Sequence, residues 1–122
     1  MPRVLATLAD EAKATGLGTT FSVVGVPRVL GPQAEQALYR AAQEGLTNAR
    51  KHAAASRVTL TIDYRDPNSV QLIVQDDGQG AHKTDSGFGL IGLRERVQLL
   101  GGSLRIDTAP NAGLTLTAEV PG

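Results

Sequence analysis

The stretch QLIVQDDGQGAHKTDSGFGLIGL, residues 71–93, decides how this chain is read. Three of its glycines are spaced as Gly87-x-Gly89-x-x-Gly92, which matches the dinucleotide-binding fingerprint. That fingerprint needs its first glycine directly after a strand, inside a strand–helix–strand unit, with an acid about 20 residues further on. Asp107 meets the last condition. The strand, however, ends at Asp76, roughly ten mostly polar residues before Gly87, and no second parallel unit follows, so the dinucleotide reading fails. The P-loop pattern with its lysine is absent as well. A lid fits better: a loop between Gly78 and Gly87, then Gly89, Leu90 and Gly92 opening a helix whose free N–H groups and positive end face an anion. By spacing alone, a surface loop leading into a helix explains the same residues.

Upstream of the loop, Val70, Leu72 and Val74 share one face of a strand by the period-2 rule, and the next residue on that face is Asp76. A carboxylate at the core end of a strand needs hydrogen-bond donors to offset its desolvation, and a ligand amino group is one candidate. The competing reading of DDG is an ordinary turn closing a strand. On the long helical pattern at residues 33–53, Glu44, Asn48, Lys51 and His52 fall within a sector roughly 100° wide beside the apolar face of Leu38, Ala42, Leu46 and Ala49. The small residues Ala41 and Gly45 next to this stripe leave room for something bulkier than a side chain to approach the helix. A carboxylate, an amide oxygen and a lysine together suit a Mg-triphosphate: hard oxygens for the metal, a point charge for a phosphate. A solvated helix face is the plain alternative.

Further outward, Leu5, Leu8 and Ala12 with Gly16 behind them predict a short first helix, residues 19–24 a strand closing at Gly25, and residues 57–64 and 70–76 a hairpin turned by Asp66-Pro67-Asn68-Ser69. Leu90, Leu93, Val97 and Leu100 give a helix ending at Gly101-Gly102, followed by strands at 103–108 and 114–120. Strands that arrive as hairpins predict an α+β fold, a two-layer sandwich with a mixed, mostly antiparallel sheet and helices on one face.

With 122 residues the expectation is a single domain spanning 1–122, too short for two lobes with a cleft between them. Twelve basic and twelve acidic residues cancel and form no basic stripe, so no direct contact with long nucleic acid is expected. The chain has no cysteine, which excludes disulfides, thiolate metal sites and a cysteine nucleophile. No apolar run approaches the roughly 18 residues that span a bilayer. The expected compartment is the cytoplasm, with no membrane contact by this domain, although a longer parent chain is free to be membrane-anchored.

Taken together, EGLTNARKHA from Glu44, DDGQG from Asp76, GFGLIGLRERV from Gly87 and GGSLRI from Gly101 resemble the boxes of the GHKL (Bergerat-fold) ATPases. The fuller pattern, including ALYRAAQEGLTNARKHA, is similar to the ATP-binding catalytic domain of bacterial two-component sensor histidine kinases, nearest the subfamily paired with helix-turn-helix response regulators. The resemblance implies ATP and Mg2+ as cofactors, held between the helices and the sheet under an ATP lid. It implies Asn48 as a metal ligand with Glu44 beside it, Lys51 and His52 near phosphate or sugar, and Asp76 accepting from the adenine amino group. It further implies Gly78 and Gly80 passing close to the base, and Gly87, Gly89, Leu90 and Gly92 in the lid hinge and phosphate contacts. The family usually has Thr after the glycine of its last box, whereas here Leu114 follows Gly113, so that hydroxyl is either lost or supplied by Thr115. Neither histidine suits the phosphoacceptor: His52 belongs to the nucleotide site and His82 to the lid. The acceptor is therefore expected on a separate histidine-containing dimerisation domain, in the same parent chain or a partner protein, with a response regulator downstream. Two alternatives share the fold: a GHKL protein-serine kinase of the anti-sigma-factor type, and a regulatory domain that no longer binds ATP.

Overall fold

The structure, a computed structural model, describes residues 1–51, 56–78, 90–108 and 113–122. Helix α1 (Pro2–Ala14) leads into strand β1 (Gly18–Val24), then α2 (Pro32–Lys51), β2 (Arg57–Asp63), β3 (Ser69–Asp76), α3 (Leu90–Leu99), β4 (Ser103–Thr108) and β5 (Leu114–Pro121). The strands form one five-stranded sheet in the order β1-β2-β3-β5-β4. β1 runs parallel to β2, and every other pairing is antiparallel, so both expected hairpins form and the sheet is mixed.

The alternation in the sequence sets the two faces. Val58, Leu60 and Ile62 of β2, Val70, Leu72 and Val74 of β3, and Leu116, Ala118 and Val120 of β5 are all buried. The intervening residues, Thr59, Thr61, Gln71, Gln75, Thr117 and Glu119, are exposed or only partly covered. All three helices lie on the apolar side: α2 over β3 and β5, α3 over β4, α1 over β1. Leu5, Ala9 and Ala12 of α1, Leu38, Ala42 and Ala49 of α2, and Leu90, Leu93 and Val97 of α3 complete a single core. One apolar layer between helices and a sheet of alternating pattern is the sandwich the sequence predicts.

The seating of α2 departs from the sequence reading. A Cβ placed on Gly45 would lie 2.8 Å from Val74 Cγ1, and Ala41 is fully buried. The space beside Gly45 is filled by Val74 of the sheet, and Ala41 is closed off from solvent. Their small size lets the helix axis come close to β3. The direction of α2 follows from two contacts. Leu30, just before the helix, and Val70, at the start of β3, both approach Gly122, at 3.0 and 3.9 Å from where its Cβ would stand. Gly45 sits over Val74, near the end of β3. Helix and strand therefore run in the same sense, and the last turns of α2 arrive where β3 ends. At the other end of the sheet the Arg28 guanidinium donates to the carbonyls of Tyr64, Asp66, Ser69 and Gly122 at 2.8–2.9 Å, tying the β2–β3 turn to the end of β5.

Candidate nucleotide-binding site

Asp76 closes β3 on the core face, paired across the ladders with Val58 and Leu114, and is 6% exposed. Its Oδ1 accepts from the N–H of Gly78 at 2.9 Å and from the N–H of Leu114 at 3.2 Å. Burial pushes the carboxyl above its ordinary value of 3.8; the two backbone donors pull the other way, and the neighbouring Asp77 charge adds a smaller push. Among the described residues two backbone N–H groups reach this buried carboxylate, both at Oδ1, and a further donor arriving with a ligand would favour its ionised form.

Gly113 explains how Leu114 reaches Asp76. Its φ of +78° belongs to the left-handed region, and a Cβ there would collide with the Asp76 carbonyl oxygen. Glycine is the residue that lets the chain pass over the end of β3 and deliver the Leu114 N–H to the carboxylate. The Leu114 side chain fills the core, 3% exposed. At this position the backbone, and no side-chain hydroxyl, meets the acid.

Asn48 stands one helical turn beyond Gly45, about 60° round from the direction facing the sheet, with Glu44 about 40° further. This places Asn48 inside and Glu44 at the rim: Asn48 is 2% exposed, while Glu44 is partly covered and 3.7 Å from the Arg40 guanidinium. The Asn48 Nδ2 is buried with no hydrogen-bond partner among the described residues. From the Gly45–Val74 contact, Asn48 lies about 4.5 Å further along the helix and Asp76 about 6.6 Å further along the strand, in the same direction. The two buried polar side chains thus come to one end of the sandwich.

The remaining expected site residues divide. Gly78 is buried and binds Asp76 through its N–H. Lys51 is the last residue of α2, and Leu90, 1% exposed, is the first of α3. Gly92 is exposed and lines a groove of about 500 Å3 between α2 and α3, with Gln36, Tyr39, Arg40, Gln43, Leu93 and Arg96. This groove approaches the site from the Glu44 side, because Arg40 and Gln43 flank Glu44. Thr115 is not brought to the site: it pairs with Gln75 and Asp107 on the open face of the sheet, opposite to Asp76. Strand alternation dictates this, since Leu114 takes the inward position. His52, Gly80, Gly87 and Gly89 lie outside the described residues.

The sequence reading passed over Asp77. Its Oδ1 accepts the N–H groups of Ser56 and Arg57, both at 2.9 Å, and its Oδ2 accepts the Ser56 hydroxyl at 2.8 Å. The hydrogen bonds from the Arg57 backbone and the Ser56 hydroxyl hold this carboxyl below the ordinary range. An acid directly after a strand-ending acid was the available signal.

Solved structures share this architecture. The ATP-binding domain of PrrB from Mycobacterium tuberculosis superposes with a TM-score of 0.75 over 98% of this chain and 92% of that one, at 24% identity. The blue-light activated histidine kinase of Erythrobacter litoralis does so with a TM-score of 0.77 over 98% of this chain and 39% of that one, at 20% identity. The fold is thus that of histidine kinase ATP-binding domains. Residues 33–122 match the histidine kinase-, DNA gyrase B- and HSP90-like ATPases, and the chain belongs to this family. Among curated proteins it is similar to the histidine-protein kinase/phosphatase DegS of Brevibacillus brevis, 37% identical over 110 residues, and to the sensor histidine kinase LnrJ of Bacillus subtilis, 33% identical over 110 residues. These alignments take in 88% and 90% of this chain but only 28% and 27% of the relatives. The chain therefore spans roughly a quarter of the length of these relatives.

Proposed function

We propose that this domain binds Mg-ATP and presents the γ-phosphoryl group to a histidine on a separate dimerisation domain, from which it passes to a response regulator in two-component signalling. The convergence of Asp76 and Asn48 at one end of the sandwich carries this reading. Asp76 accepts from the adenine amino group, and the backbone at Gly78 and Gly113 packs close to the purine. Asn48 and Glu44, one helical turn apart, offer oxygens to Mg2+ at the phosphate end, with Lys51 at the end of the same helix. Two oxygen donors from one helix suit an ion that would take the rest of its shell from nucleotide phosphates and water, as is usual for Mg2+. When bound, the ion neutralises charge developing on the phosphoryl group. The protein's share is positioning: Asp76 fixes the base, and the α2 residues fix the phosphate chain. The names of the similar full-length kinases support histidine as the acceptor, and acid-lability of a labelled acceptor separates phosphohistidine from phosphoserine.

Calorimetric titration with ADP, with and without Mg2+, tests the reading. The native chain is expected to bind more tightly with Mg2+. Asn48→Ala is expected to lose most of that enhancement, about tenfold in Kd, the worth of one polar contact to a charged partner. No nucleotide binding by the native chain at millimolar ligand overturns the proposal.

A further inference from the structure

Asp77 is exposed, follows directly on the buried Asp76, and its carboxylate accepts three hydrogen bonds from Ser56 and Arg57. Beyond its three side-chain bonds, its own N–H donates to the Arg57 carbonyl at 3.2 Å, so donors and acceptors run in both directions between Asp77 and residues 56–57. The β2–β3 ladder proper ends at the Val58–Asp76 pair. Asp77 extends it by one rung and caps the N–H groups of the chain entering β2. Those residues are the near end of a short link: α2 finishes at Lys51, and only residues 52–55 separate it from Ser56.

We infer that Asp77 is a positioning residue for nucleotide binding: by clasping Ser56 and Arg57 to the end of β3 it fixes the phosphate-side end of α2, at Lys51, relative to the base-side acid Asp76. The inference rests on the proposed nucleotide reading and deepens it. Asp77 touches no ligand. It acts through its hold on Ser56 and Arg57, so its loss frees the chain beyond Lys51 while the Gly45–Val74 contact keeps Asn48 and Asp76 in place. The hydrogen bonds that hold its carboxyl below the ordinary range keep the clasp formed throughout the neutral and mildly acidic range.

The test is titration of the whole chain with Mg-ADP and with adenosine, at a temperature well below the melting point of each variant. Asp77→Ala is expected to weaken Mg-ADP about tenfold and adenosine about twofold or less, because the base side keeps Asp76 while the phosphate side loses its anchor. Asp77→Asn retains an oxygen for the two N–H groups and is expected to recover Mg-ADP affinity to within about threefold of the native chain. Ser56→Ala, an exposed substitution that removes the 2.8 Å hydroxyl bond alone, is expected to weaken Mg-ADP about twofold to threefold and folds whether or not Asp77→Ala does. Equal losses for Mg-ADP and adenosine in Asp77→Ala overturn the inference and make the clasp a general stabiliser. Native Mg-ADP affinity in Ser56→Ala overturns it as well, and so does native affinity in Asp77→Ala. Failure of the native chain to bind Mg-ADP strikes the nucleotide reading itself, a result distinct from these.

Discussion

Asp76→Ala is expected to weaken ADP binding by about 100-fold, since a hydrogen bond to a charged acceptor in a desolvated pocket contributes on the order of 1.5–3 kcal/mol. Alanine also strips the Gly78 and Leu114 N–H groups of their acceptor, so Asp76→Asn isolates the effect more cleanly. The amide keeps Oδ1 for both N–H groups but offers an NH2 in place of the second carboxylate oxygen, and it too is expected to lose ADP affinity. Its folding stability, by contrast, should match or slightly exceed that of the native chain, because a carboxyl held above 3.8 by burial is a charge that the fold accommodates at a cost. The sign with pH follows. Between 3.8 and the raised native value the folded chain binds more protons than the unfolded one, so this residue's contribution to stability grows as pH falls through the native value. A ligand donating to Asp76 favours the ionised form, so ADP affinity falls through that same window and binding releases a proton. Titrations in buffers of different ionisation enthalpy read that proton; ADP binding in Asp76→Asn that equals the native chain removes Asp76 from the site.

Gly113→Val is expected to cost at least about 3 kcal/mol of folding stability, combining a β-branched residue at positive φ with a Cβ driven into backbone. The φ is +78°, and the atom struck is the carbonyl oxygen of Asp76, which lies on the β3–β5 ladder and has no room to retreat. A fall in melting temperature of roughly 10 °C or more is the expected result. Because the same turn delivers the Leu114 N–H to Asp76, whatever folded protein remains should also bind ADP poorly. A variant that melts with the native chain shows that residue 113 is not held at positive φ against the Asp76 carbonyl.

Most of the architecture was legible because the apolar alternation is strict. Val58–Leu60–Ile62, Val70–Leu72–Val74 and Leu114–Leu116–Ala118–Val120 each admit one inward face, and the glycines and turn residues between them fix element ends to within a residue or two. The parallel pairing of β1 with β2 and the neighbouring of β3 with β5 were not legible, since no turn joins those strands. Strand alternation puts Asp76 on the core face, and helical periodicity puts Asn48 at the border of the apolar face; the structure buries both. Gly45 was misread because helical periodicity reports which face a residue occupies, not what lies against it; only Val74 across the layer settles that. Thr115 was offered as a hydroxyl near the nucleotide although the same alternation that buries Leu114 turns it away. Asp77 went unnoticed because its partners, Ser56 and Arg57, are distant in the chain and polar, and leave no periodic trace.

The near-contact of Gly45 with Val74 bears on the spacing of the two buried polar groups as well as on how the layers pack. With no side chain of its own at this point, the helix rests directly on the Val74 side chain, one turn before Asn48 and two residues before Asp76. That single seat ties the spacing between the buried amide and the buried carboxylate to one valine, so a change of volume at residue 74 alters it ahead of any other adjustment.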